Sequence, residues 1–136
     1  MTESSTAAIA QQYYEAMSVG DIATGTALFG ADIVWHQPGR NRFSGAHDGG
    51  AAVGALLGGM AATSEGTFEL RFTGEPMING ALAAIPVHFS GKREDAAMSM
   101  SGVDVLRVEG DKIVEMWLFS ADQEAEDAFW GSPEAP

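Results

Sequence analysis

The sequence predicts an α+β fold: helices first, then a run of antiparallel strands, with the helices packed on one face of the sheet. Three observations predict it. The N-terminal half holds three segments readable as helices, punctuated by Gly and Pro. After Thr63-Ser64-Glu65-Gly66 the apolar period changes to two, with Phe68, Leu70 and Phe72 alternating with Glu69 and Arg71. Met98 to Phe119 then reads as two long strands joined by Glu109-Gly110-Asp111-Lys112, and Gly-Asp between alternating runs is a strong hairpin signal. A strongly curved, antiparallel or mixed sheet with about three N-terminal helices over its concave face encloses a cone. The mouth of such a cone is a natural small-molecule pocket.

Each element has a local reason. Thr6 to Val19 is a helix because Ile9, Tyr13, Ala16 and Met17 recur at helical spacing. Gly20 stops it in the position of a left-handed C-cap. Asp21 caps a second, short helix, Ile22 to Phe29, weakened by Gly25. Ile33 to His36 is a short strand ended by Pro38-Gly39, and Arg40 to His47 follows as a polar loop. Asp48 caps a third helix, Gly49 to Ala62, whose glycines require packing to hold it. Gly74-Glu75-Pro76 breaks the strand that starts at Phe68. Ala81 to Phe89 is the next strand, with Pro86 suggesting an edge or a bulge. Ser90 to Asp95 is a charged turn before the long hairpin. Asp122 to Trp130 is a final helix or a looser tail.

Composition sets the bounds. The 136 residues, 46% hydrophobic, suit one domain spanning 1–136, with residues 1–5 and 131–136 expected to be unordered. No apolar run approaches the roughly 20 residues of a membrane helix. The N-terminus lacks the basic and apolar regions of a secretory signal, so cytoplasm is the default location. The absence of cysteine excludes disulfides, thiol catalysis and cysteine metal sites. A net charge of −12 with seven scattered basic residues argues against nucleic acid or anionic membrane as a partner. There is no GxSxG, P-loop or dinucleotide fingerprint, and no His spacing suited to a metal, so neither cofactor nor metal is expected.

Order and spacing then give a resemblance. Tyr13 through Gly20-Asp21, Ala27-Leu28-Phe29 with Asp32-Ile33-Val34-Trp35, Pro38-Gly39, Ser44-Gly45 with Gly49, and Gly110-Asp111-Lys112-Ile113 together cover most of the chain. The pattern resembles the superfamily of nuclear transport factor two, ketosteroid isomerase and the SnoaL-like polyketide cyclases. The resemblance implies the cone fold and a homodimer made through the exposed sheet face. It does not fix an activity, because the fold hosts isomerases, dehydratases, cyclases, epoxide hydrolases and binding modules. Ketosteroid isomerase uses a tyrosine and a protonated aspartic acid as its oxyanion hole and another aspartate as base. By position, Tyr13 matches the tyrosine, eight residues before Asp21, and Asp104 matches the neutral acid. The base position, before Pro38, holds Gln37, which cannot take a proton.

The candidate residues follow. Asp104 shares strand parity with Met98, Met100 and Leu106. An acid on an apolar row either faces solvent or is buried, with a raised pKa, to donate to a substrate oxygen. Tyr13 is either a core tyrosine or a cavity hydroxyl beside Asp104. His36 and His88 are the acid–base candidates, although neighbours on a strand point to opposite faces and His36 adjoins Gln37. His47 reads as solvent-facing. Trp35, Gln37, Met100, Met116 and Leu118 are the candidate substrate contacts, with Met116 and Leu118 on one strand face and Trp117 and Phe119 on the other. Asp122, Glu124, Glu126 and Asp127 read as a solvated helix face, with Asp122 a remote alternative base. The expected function is a cofactor-free cyclase, isomerase or dehydratase acting on an apolar, oxygen-bearing polyketide- or terpenoid-like molecule. The alternative is a non-catalytic small-molecule-binding or dimerisation module.

Overall fold

A computed structural model describes residues 2–133; Met1 and residues 134–136 lie outside the described residues, as do the parts of the expected unordered termini that fall there. Helix α1 spans Thr2–Ser18 and α2 Ile22–Thr26. Strand β1 is Phe29–Gln37, β2 Gly45–Asp48, and α3 Gly50–Thr63. Then come β3 (Glu69–Phe72), β4 (Met77–Asn79), β5 (Leu82–Arg93), β6 (Ala96–Glu109), β7 (Lys112–Ser120) and α4 (Gln123–Trp130). The strands form one mixed sheet in the order β2-β1-β7-β6-β5-β3, with β4 also on β5. β1 runs parallel to β7, and every other pairing is antiparallel. The sheet curves without closing, and α1 and α3 pack over its concave side, the predicted cone.

The long hairpin behaves as its pattern demands. On β6, Met98, Met100, Asp104, Leu106 and Val108 face inward, buried, while Ser99, Ser101, Val105 and Arg107 face outward. β7 buries Ile113, Met116 and Leu118, with an irregularity opposite Arg107 and Val108 that shifts the alternation by one. Gly20 closes α1 at φ 77°, the left-handed conformation its position implies. The Asp21 carboxylate accepts from the Thr24 amide at 3.2 Å and caps α2.

Several boundaries differ from the sequence reading. α1 begins at Thr2, four residues earlier than the apolar spacing indicates. α2 ends at Thr26, and Phe29 already pairs with Ile113 of β7, so the strand takes residues that look helical locally. The polar loop contains β2, drawn into the sheet by β1. Gly49, not Asp48, is the N-cap of α3, and it makes no side-chain cap bond. β5 runs on to Arg93, shrinking the charged turn to Glu94-Asp95. Pro86 is in no bulge but at a local edge, between the stretches of β5 that β3 and β4 cover. β3 pairs with residues 87–90 of β5 and β4 with residues 82–84, so Pro86 falls in the gap where its missing N–H leaves no ladder bond broken.

Candidate active site

Five of the nine predicted site residues meet in one cavity. Tyr13 enters from α1, Trp35 and Gln37 from β1, Asp104 from β6 and Leu118 from β7, around a space of about 110 Å³. Alternation puts them there: each lies on the inward parity of its strand or on the inward face of α1. Met17, Ile22, Leu57, Met60, Phe68 and Leu70 separate this space from an apolar groove of about 360 Å³ and line both. The cavity is therefore the inner end of a pocket that opens between α1, α2 and α3.

Asp104 is the one acid among the described residues that line the cavity. It is 2% exposed, pairs across the sheet with Ile85 and Leu118, and its Oδ1 has no hydrogen-bond partner among the described residues. Burial pushes its carboxyl up to about 7, because an apolar surrounding disfavours the charged form. Tyr13 is buried between Phe29 and Phe72, at ring separations of 6.0 and 5.9 Å. Burial raises its phenol pKa, and the Asp104 charge raises it further, so Tyr13 remains a hydroxyl donor.

Gln37 is held at both ends of its amide. Its Oε1 accepts from Trp35 Nε1 at 3.0 Å, and its Nε2 donates to Glu126 Oε2 at 3.3 Å. Glu126 is 1% exposed and also accepts from Trp130 Nε1 at 3.1 Å, Ser120 Oγ at 2.6 Å and Gln123 Nε2 at 3.1 Å. Glu126 thus does not belong to the solvated acidic face. The signal for this lay in its spacing: it shares a helix face with the buried Phe129 and Trp130, at i+3 and i+4. Asp122 caps α4 by accepting from the Ala125 amide at 3.1 Å.

The remaining candidates lie elsewhere. His36 is on the convex face, where its Nε2 meets Glu115 Oε2 at 2.6 Å and its ring stacks on Trp117 at 5.1 Å. The pleat that aims Trp35 and Gln37 inward aims His36 out. His88 shares that outer face and bonds Ser99 Oγ at 2.9 Å. Met100 and Met116 are buried in the core beside the cavity and do not line it. His47 is half-buried rather than solvent-facing, its Nε2 2.7 Å from the Phe43 carbonyl. The described residues bring no three His, Asp or Glu side chains together as a metal set.

A curved sheet, a helical cover and an apolar pocket around Asp104 define a cone fold. A family model described as the SnoaL-like domain matches residues 10–116, and the chain belongs to that family. A crystal structure of a Xanthomonas campestris protein of unknown function with a cystatin-like fold is 47% identical, covers 93% of this chain and 98% of that one, and superposes with a TM-score of 0.84. An uncharacterized protein of Mycobacterium tuberculosis is 26% identical, covering 96% of this chain and 99% of its own. A Pseudomonas putida protein provisionally named a polyketide cyclase shares the fold, with a TM-score of 0.66 and 18% identity over 90% of this chain and 96% of that one.

Proposed function

We propose that the protein binds a neutral, apolar molecule carrying a carbonyl or hydroxyl oxygen and catalyses its isomerisation, cyclisation or dehydration. The observation that carries this reading is the Asp104 Oδ1, unpartnered among the described residues and buried in an apolar cavity that Tyr13 also lines. A buried donor or acceptor left without a partner costs about 1–3 kcal/mol, and a ligand oxygen in the cavity recovers it. Gln37 has no acid–base function and His36 and His88 face outward, so Asp104 is both acid and base. Neutral, it donates to the ligand oxygen. Ionised, it takes a proton from the carbon next to a carbonyl: the C–H pair moves into an enolate, the proton goes to Asp104, and the enolate oxygen accepts from Tyr13. Family membership and a cyclase-named fold neighbour support the same reading.

Acetophenone in deuterated buffer tests it without knowledge of the natural substrate. Wild-type protein is expected to bind acetophenone saturably and to exchange its methyl protons for deuterium. Tyr13→Phe should slow that exchange roughly 10²–10³-fold, the usual cost of one oxyanion donor. Asp104→Asn should abolish it. Gln37 at the base position favours a second reading, a binder without turnover. Saturable binding with no deuterium uptake would establish that one instead. The same proposal includes a homodimer, supported by the apolar convex face.

A further inference from the structure

Gln37 is the one amide among the described residues that line the cavity, and its orientation is set by chemistry. Indole N–H only donates, so Trp35 Nε1 must meet the amide oxygen. The Glu126 carboxylate is surrounded by the donors of Trp130, Ser120 and Gln123, so it must meet the amide nitrogen. Those two bonds leave one N–H and one carbonyl lone pair of Gln37 unpartnered among the described residues, on a side chain that lines the cavity. The register fixes where this stands relative to Asp104. Gln37 lies one residue beyond the His36–Trp117 pair, beside Leu118, and Leu118 pairs with Asp104. Gln37, Leu118 and Asp104 therefore form one row on the inner sheet face. The two polar residues are two strand spacings, roughly 10 Å, apart at the backbone, with an apolar side chain between.

We infer that the pocket recognises its ligand at two points: Asp104 and Tyr13 hold one oxygen, and the locked Gln37 amide holds a second hydrogen-bonding group at the far end of an apolar ring. This rests on the cavity being the ligand site. The ligand class is an apolar ring molecule with polar groups at opposite ends, one a carbonyl and the other a hydroxyl or a second carbonyl. Gln37 is a specificity-determining residue, since its donor and acceptor accept either. Glu126 is a positioning residue, which acts by anchoring the amide nitrogen and does not touch the ligand.

Two probes separate the claims: acetophenone, with one polar group, and para-hydroxyacetophenone, which adds a hydroxyl across the ring. Wild-type protein is expected to bind the second about tenfold tighter, the worth of one or two net hydrogen bonds. In wild type, the Gln37 side-chain amide resonance should move with the hydroxylated probe and stay nearly still with acetophenone, a readout that needs no variant. Gln37→Leu should erase the preference, so that the two probes bind the variant with equal affinity. Glu126→Gln, which replaces the carboxylate that holds the Gln37 amide nitrogen with a weaker neutral acceptor and so loosens the side chain, should shrink the preference. A purely structural role for Glu126 would instead weaken both probes equally. Equal wild-type affinities with no Gln37 shift would overturn two-point recognition and leave the cavity reading standing. If neither probe binds up to its solubility limit, the cavity reading fails and this inference with it.

Discussion

At the scale of single residues, the raised pKa of Asp104 makes a stability prediction of definite sign. Its carboxyl titrates near 3.8 when unfolded and at about 7 in the fold. The native state thus holds the proton more tightly, and the Asp104 contribution is fully present below about pH 4. It is lost progressively as pH rises to about 7 and is flat above that. About three pH units at about 1.4 kcal/mol each gives a loss of about 4 kcal/mol. Asp104→Asn stays neutral throughout, so the difference in unfolding free energy between variant and wild type should grow in the variant's favour by that amount between pH 4 and 8. Urea titrations at several pH values measure it. A pH-independent difference would place the carboxyl in a solvated site. Asp104 was legible only as a choice: its phase with Met98, Met100 and Leu106 put it on an apolar row and left open whether it faced solvent or the core. Tyr13 was left between core and cavity in the same way. Gln37 and Glu126 were half legible. Position pointed to Gln37, but a partner separated from it by 89 residues leaves no local trace.

At the scale of elements, the periodic segments were readable and the short ones were not. β6 and β7 carry long alternation, so their existence and inward rows follow from sequence. β2 and β4, of four and three residues, are too short to show a period; β1 and β5 impose them by offering unpaired backbone. The boundary between α2 and β1 fell at Thr26 because pairing of Phe29 with Ile113 outweighs weak local helix preference. The centre of β6 also carries a tight approach. A Cβ on Gly102 would meet the Phe119 carbonyl oxygen of β7 and stand 3.0 Å from Phe89 Cε1. Backbone on one side and a buried ring on the other leave little room to relax. Gly102→Ala should cost about 1–3 kcal/mol in denaturant unfolding, where an alanine in an open strand position would be neutral or better. α4 is held by the loop before β2: Asp127 Oδ1 accepts from the Arg40 amide at 3.1 Å and from Asn41 Nδ2 at 2.9 Å. Asp127→Ala should loosen α4 and, through Glu126, the orientation of Gln37. A lowered melting temperature together with a smaller preference for the hydroxylated probe would record both.

At the scale of the whole molecule, the sheet divides the protein into two faces of different character. The concave face holds the cavity. The convex face carries a patch in which Trp117 pairs with Val105 and Val105 with Ala84, beside Phe119 paired with Val103 and Val103 with Pro86. Phe119 is 57% exposed, more than a lone surface ring requires. At one border Arg107 Nε donates to Glu115 Oε1 at 3.0 Å, and Glu115 also takes His36, a polar rim around an apolar centre. A stable pair of standard size buries about 1,600 Å² in total, within reach of a sheet face this wide. At −12 per chain, two copies repel at long range. The patch itself is uncharged, so raising salt should strengthen association, because it screens the repulsion and leaves the apolar contact intact. Sedimentation at micromolar concentration should give the mass of two chains, and Phe119→Glu should weaken association at least about tenfold by burying an unpaired charge. The pocket opens between α1, α2 and α3, on the other side of the sheet from this patch. The Phe119→Glu monomer should therefore bind acetophenone as wild type does. A wild-type monomer at all salt concentrations overturns the dimer. A dimer whose dissociation abolishes probe binding would mean that the convex face supports the cavity through the sheet, and the two faces would not be independent.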